Sequence, residues 1–340
     1  MDTLNKENVP HVALMGDSMS YEADSPNGFN EGVLRPLFME MTKQHPQALF
    51  FIGNFVTGLK KNEIFKNPKQ NASSTEINSD KPVRELIRKG FYYDSNSYTS
   101  QIEQFSKLEK IILGPQTAFY PVIGLQDAVG SDSKEILLKQ FPVTNKVDFG
   151  KNQLVYTVAL EDSYFIVITT DFFDEFLNLP VENQIPRNVL DWLDRDLKDK
   201  SPYYRYLFVV GHKPAFSTTA SSGVYAGLDK NPLIRDAFWK ILKDNNVLAY
   251  FCASENLYDR SFRDGVWQII TGGAGSPLNK KNIFKAFYHY VLLSLPTAID
   301  KAPRAWVIDV NGKLRDTFEF ANSQNPIFQL RISQSDKGKK

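Results

Sequence analysis

Along the chain, short apolar runs recur, each closed by small or polar residues. They are "HVALMG" from His11, "ALFFIG" from Ala48, "FYPVIG" from Phe119, "YFIVITT" from Tyr164, "YLFVVG" from Tyr206, "VLAYFC" from Val247, "VWQIITGG" from Val266 and "AWVIDV" from Ala305. Their length and their Val, Ile, Phe and Tyr content predict strands. Runs so uniformly apolar suit strands buried on both faces rather than sheets open to water on one side.

Amphipathic stretches lie between several of these runs. "EGVLRPLFMEMTKQ" leads into the second, "YTSQIEQFSKLEKII" toward the third, and "IPRNVLDWLDRDLKDK" toward "YLFVVG". "NPLIRDAFWKILKDNN" leads into "VLAYFC" and sets Leu233, Ala237, Phe238 and Ile241 at helical spacing as its expected buried face. Strands alternating with helices predict an α/β architecture in which helices cover the sheets. From about 59 to 82 the chain turns polar and rich in Asn, Lys and Ser, which predicts an insertion loop. Asn71 there opens an "NAS" triplet, a motif frequent by chance. No comparable linker divides the remainder, so a single domain over 8–320 is expected. Residues 321–340 follow as a C-terminal extension whose basic end, "SDKGKK", reads as a solvated tail.

Composition narrows the function classes. In 340 residues, Lys+Arg 40 against Asp+Glu 39 leaves a net charge of +1, so no global field recruits nucleic acid or an anionic membrane. No apolar run reaches the roughly 20 residues of a transmembrane helix. The one cysteine, Cys252, excludes an internal disulfide and a Cys-rich metal site, and its apolar strand predicts a buried, inert thiol. "MDTLNKENVP" lacks the cationic and apolar regions of a signal peptide, so none is expected in the chain as written. A leader removed earlier would leave the same sequence, and the compartment stays open.

The candidate chemistry gathers where strands stop. "LMGDSM", "FIGNFVTG", "VIGLQDAVG", "VVGHKPAFST" and "YFCASENLYDR" each end an apolar run in polar residues, at the sheet edge where α/β proteins place ligands. In order and wording these blocks, with "LDWLDRDL", "ITGGAGSPL", "FYHYVLLSL" and "NGKLRDTFEF", resemble the calcineurin-like metallophosphoesterases, in particular the purple acid phosphatase-like branch. The resemblance runs from about His11 to Phe320. It implies a four-layer α-β-β-α sandwich, two packed mixed sheets flanked by helices, with "FYHYVLLSL" and "NGKLRDTFEF" as closing strands. It also implies a two-metal phosphoester hydrolase, in which one ion polarises the phosphate and a bridging hydroxide attacks.

Set against the family's blocks, this chain departs at most ligand positions. Asp-x-His has become Asp17 and Met19, and Gly-Asp, whose carboxylate bridges both metals, has become Gly53-Asn54. Gly-Asn-His-Asp or Glu has become Gly124-Leu125-Gln126-Asp127, while His212 keeps the fourth block's histidine. Gly-His-x-His has become Ala253-Ser254-Glu255-Asn256, and Thr57 stands where the coloured di-iron enzymes place a tyrosine ligand. Asn54 offers one neutral oxygen where a carboxylate offers two anionic ones. Leu125 offers none, and the Met19 thioether suits Mn, Fe or Zn poorly. Gln126 can donate a hydrogen bond but cannot deliver a proton near neutral pH. Loss of a single outer partner costs about 10–100-fold in metal affinity, and here most direct ligands are gone.

The expectation is therefore an inactive metallophosphoesterase-like protein, a pseudophosphatase that binds protein partners or serves a structural role. No cofactor is expected beyond at most one weakly held divalent metal on Asp17, Asn54 and His212. A metal-dependent phosphoesterase with such a reduced site is the alternative, with Asp127 and Asp171 as candidate substitute ligands. A third set, Ser254, His212 and Asp17, has the residue types of a nucleophile, base and orienter, without a nucleophile-elbow signature. His212 is otherwise expected to be satisfied by hydrogen bonds in the cleft, and Asp17 to brace a turn. Tyr258, Asp259 and Arg260 are expected to be structural, with Arg260 pairing an acidic neighbour. His11, His45 and His289 show no ligand spacing, and His289 is expected in the core.

Overall fold

The computed structural model describes residues 9–20, 27–61, 91–150, 153–174, 176–177, 179–218, 226–279, 281–298 and 301–320. Most of the polar insertion with Asn71, and the whole C-terminal extension, lie outside the described residues. Two sheets carry the fold. The first comprises β1 (His11–Met15), β2 (Ala48–Ile52), β5 (Ala118–Val122), β15 (His289–Ser294), β16 (Arg304–Asp309) and β17 (Leu314–Glu319), in the order β17-β16-β15-β1-β2-β5. The second comprises β6 (Lys146–Val147), β7 (Val155–Leu160), β8 (Ser163–Val167), β11 (Tyr206–Val210), β12 (Ala249–Cys252), β13 (Tyr258–Arg263) and β14 (Val266–Thr271), in the order β13-β14-β12-β11-β8-β7-β6. Both are mixed: β1, β2 and β5 run parallel, as do β8, β11, β12 and β14, with antiparallel strands at the margins. Two small antiparallel pairs, β3 (Leu59–Lys61) with β4 (Phe91–Tyr93) and β9 (Phe172–Asp174) with β10 (Leu179–Val181), stand apart from these sheets.

Side-chain alternation shows why the sheets stack. Along β8, Phe165 and Val167 join the core shared with the first sheet, whereas Tyr164 and Ile166 join a second core beneath helices. Strand β11 divides the same way, with Phe208 and Val210 inward and Leu207 and Val209 outward. Phe50 of β2 and Phe165 of β8 stack across the interface with ring centroids 4.8 Å apart. The helices α1 (Glu31–Thr42), α2 (Ser95–Ile112) and α3 (Ser133–Gln140) bury Leu34, Phe38, Ile102, Phe105 and Leu137 into the first core. The helices α4 (Arg187–Lys200) and α5 (Pro232–Asp244) close the second with Val189, Leu193, Phe238, Trp239 and Leu242. The result is helix, sheet, sheet, helix.

The sequence expectation for one helix face holds in part: Phe238 is buried and Ile241 packs against the second core, as their spacing predicted. In α5, Leu233 is 84% exposed and Ala237 also faces solvent, while Phe238, Trp239 and Leu242 are buried. The burial stripe is set one position later because Trp239 packs edge-on against Phe216, at 5.0 Å, from the loop after β11. Cys252 is buried at the end of β12, on the α5 side of its sheet.

Candidate functional site

The parallel strands of both sheets end along one edge, and the loops leaving them meet there. Tight turns bring them together: Asp17, Asn54, Ser254 and Asn256 all adopt left-handed backbone, with φ of 64°, 52°, 68° and 51°. That region is sparsely used by residues with a Cβ, and such strain clusters at functional sites. Gly53 is required by close approach. At its φ of +75°, a Cβ would lie 2.6 Å from His212 Nδ1 and 2.7 Å from the Gly124 backbone.

Asn54 is the hub. Its Nδ2 donates to Asp17 Oδ1 at 2.7 Å and lies 3.2 Å from His212 Nε2. Its Oδ1 accepts from the Gln126 backbone N–H at 3.0 Å, which fixes the amide's orientation. His212 Nδ1 lies 3.1 Å from the Ile52 carbonyl, an acceptor only, so this nitrogen carries the proton and Nε2 accepts from Asn54. Asp17 Oδ2 accepts from the Ser254 backbone N–H at 2.6 Å. The facing polar atoms of Asn54, Asp17 and His212 are matched by one another or by backbone groups of the chain.

Burial sets the charges. Asp17 and His212 are fully buried. Burial pushes the Asp17 carboxyl up to about 8, against the lowering by its hydrogen bonds from Asn54 and Ser254. Burial, with the nearby Lys213 charge, pushes the His212 imidazole down to about 3. The 4.0 Å approach of His212 Nε2 to Asp17 Oδ1 is therefore a contact of two neutral groups near pH 7, not an ion pair.

The other sequence candidates divide into those that face the hub and those that only shape it. Met19 offers its backbone N–H to the Asn54 carbonyl at 3.1 Å, and Leu125 opens the short turn 126–128. Asn256 is near through its backbone, since a Cβ on Gly272 would meet both Asp17 Oδ2 and Asn256 N. Its own Nδ2 turns away to Pro277 O at 3.1 Å. Ser254 reaches Asp17 only by its backbone N–H, and both ring nitrogens of His212 are engaged elsewhere. The nucleophile–base–orienter set is therefore not assembled.

In the sequence Asp127 is a candidate substitute ligand. Its carboxylate instead accepts from the backbone N–H groups of Asn54, Phe55 and Gly124, at 2.7, 3.2 and 3.0 Å, and from Tyr98 OH at 3.3 Å. Asp171 likewise has its own partners, Thr170 Oγ1 and the Asn183 N–H. Sequence reasoning missed Tyr98 and also Gln101, whose Oε1 accepts from the Gly58 N–H at 2.8 Å. Both lie on α2 at helical spacing, and their polar ends carried no signal distinct from a core stripe. Arg260 pairs Asp316 at 2.7 Å, and Tyr258 OH donates to the same carboxylate at 2.8 Å. His289 is buried in β15, with Nδ1 2.8 Å from Phe287 O and Nε2 3.2 Å from Thr271 Oγ1. His11 packs edge-on against Trp306, and His45 occupies a turn with φ of 47°. Among the described residues, no group of three or more His, Cys, Asp or Glu side chains is placed to hold a metal ion.

Comparison with solved structures identifies the architecture. The purple acid phosphatase PPD1 of yellow lupin (Lupinus luteus) aligns with a TM-score of 0.62 at 16% identity, over 92% of this chain and 54% of that one. A dimetal phosphatase from Danio rerio aligns at 0.61 and 10% identity, over 92% and 99% of the two chains. This chain has the calcineurin-like metallophosphoesterase fold. The metallophosphoesterase sandwich also occurs in GAP50, the anchor in the inner membrane complex of Plasmodium, which aligns at 0.54 and 14% identity over 95% and 94% of the two chains. The chain thus spans about half of the lupin phosphatase, 54% of its length. No family model and no curated protein matches it. At these identities the likeness establishes the fold, and function must be argued from the site.

Proposed function

We propose that this chain is a metallophosphoesterase-fold protein without catalytic activity, a pseudophosphatase whose role is to bind protein partners or to provide structure. One observation carries the proposal: the Asn54 amide nitrogen sits between Asp17 Oδ1 and His212 Nε2, donating toward both. A divalent ion held by those two groups would need both lone pairs that the amide N–H groups now satisfy. The donor set does not fit two dications. Among the described residues, Asp17 and His212 are the ionisable side chains that the Asn54 amide nitrogen meets, and Asn54 presents its nitrogen, not its oxygen, to them. Turning the amide over would give up the Gln126 hydrogen bond and face Asn54 Oδ1 toward His212 Nε2, two acceptors without a proton between them. Leaving a buried polar group unmatched costs about 1–3 kcal/mol.

A structural role is in keeping with the likeness to GAP50, described as the anchor in the inner membrane complex of Plasmodium. Among the described residues, no helix is long and apolar enough to cross a membrane. The alternative, a phosphoesterase with a single metal on Asp17, Asn54 and His212, makes the opposite demand on the same amide. Metal analysis of purified protein, combined with aryl-phosphate hydrolysis in added Mn, Zn or Fe, separates the two. The expected result is substoichiometric metal and no turnover above background. Stoichiometric metal with turnover that His212→Ala abolishes would establish the alternative.

A further inference from the structure

Beside the edge strand β5 of the first sheet, the C-terminal turn of α2, the connection to β5 and the end of α3 line a pocket of about 420 Å³. Its lining includes Pro115, Phe119, Phe141 and Pro142, with Phe119 and Phe141 stacked at 4.2 Å. Small-molecule sites have volumes of roughly 300–1,000 Å³, with apolar walls and few polar groups. One polar group stands out here. Glu109 lines the pocket and is only 4% exposed, yet its carboxyl has no hydrogen-bond or ion-pair partner among the described residues. Its neighbour Lys110 also lines the pocket but acts on it only as a more distant charge.

An unpaired carboxyl in an apolar wall is costly, since burial without a partner penalises the charged form. The cost is absent if a cation enters. We propose that this pocket binds a small organic amine, its ammonium paired with Glu109 and its apolar body against Phe119, Phe141 and the two prolines. An aromatic wall favours a cation over a neutral group of the same shape. Burial also raises the Glu109 carboxyl to about 7. Pairing with an ammonium requires the ionised form, so affinity should rise as pH increases through that value while the amine stays charged.

Calorimetric titration of the full chain with 2-phenylethylamine and with its neutral isostere 2-phenylethanol tests this. At about pH 8 the amine should bind saturably and at least about tenfold more tightly than the alcohol, with affinity falling toward about pH 6. Glu109→Gln should remove that preference. Equal affinity for amine and alcohol on the native chain would overturn the site, and so would a lack of saturable amine binding at millimolar concentration or unchanged selectivity in a folded Glu109→Gln. The comparison of ligands on the native chain decides the matter even if the variant does not fold.

Discussion

Asn54 shows how one atom changes what a cleft can hold. Its carbonyl oxygen is fixed by Gln126 N–H, so its nitrogen must face Asp17 and His212. Replacing that nitrogen by oxygen isolates the effect. Asn54→Asp should destabilise the chain in metal-free buffer by about 2–4 kcal/mol, because the donor to His212 Nε2 is lost and a second carboxyl is buried beside Asp17 in a dry site. It should also create a Mn- or Zn-dependent rise in melting temperature that the native chain lacks, since Asp17, the new carboxylate and His212 would form a three-ligand set. Thermal denaturation with and without metal checks both effects. An equal metal-induced rise in the native chain would mean that Asn54 does not block the site. That Asn54 replaces the carboxylate of the resembled motif is legible in the sequence. The direction its amide faces is not, because the partners that decide it, Gln126 and His212, are brought near only by folding. Asp127 makes the same point. As a carboxylate beside Gln126 it reads as a ligand, and only the turn at Asn54–Phe55 reveals it as a brace for backbone N–H groups.

At the scale of elements, the strands that form the sheet interiors were the legible ones. "HVALMG", "ALFFIG", "YLFVVG" and "VWQIITGG" match β1, β2, β11 and β14, because a strand buried on both faces must be apolar throughout. The edge strand β13 and the hairpin β9–β10 gave weaker signals, since an edge carries polar residues on its open side. In α5 the spacing was right and Phe238 and Ile241 lie toward the core, but Leu233 and Ala237 do not, because Trp239 could be assigned to the core only once Phe216 was in place. The interlocking of the two sheets makes a definite demand on Phe165, fully buried and stacked on Phe50 and Phe208 at 4.8 and 4.7 Å. Phe165→Ala should cost about 3–5 kcal/mol, from lost burial and an unfilled cavity between sheets. Chemical denaturation would measure it. A loss below about 1 kcal/mol would mean that the sheets can close over the gap, contrary to a tightly packed interface.

At the scale of the whole molecule, burial of ionisable groups sets how stability depends on pH. In the folded chain Asp17 is raised to about 8, Asp127 and Glu109 to about 7 and Asp171 to about 6, while His212 is lowered to about 3 and His289 to about 4. Stability falls with pH wherever the folded chain binds more protons than the unfolded one. Between about pH 5 and 6 the unfolded chain protonates the two imidazoles and the folded chain keeps protons on the four carboxyls, so the balance already favours loss of stability as pH rises. Above about pH 7.5 the imidazoles no longer differ, and only the carboxyl protons still held by the fold remain, so the loss continues as pH rises through about 8. The melting temperature should therefore decline steadily from mildly acidic to mildly alkaline buffer. A flat or rising profile by circular dichroism would show that these carboxyls are ionised and compensated in the folded chain. The same profile bears on the cleft. A divalent ion bound there would hold Asp17 ionised and abolish its share of the decline; with the cleft closed by the Asn54 amide, added Mn should instead leave the native curve unchanged at its alkaline end. A selective recovery of stability near pH 8 with Mn would place a cation at Asp17 and remove the basis for reading the cleft as closed by its own amide.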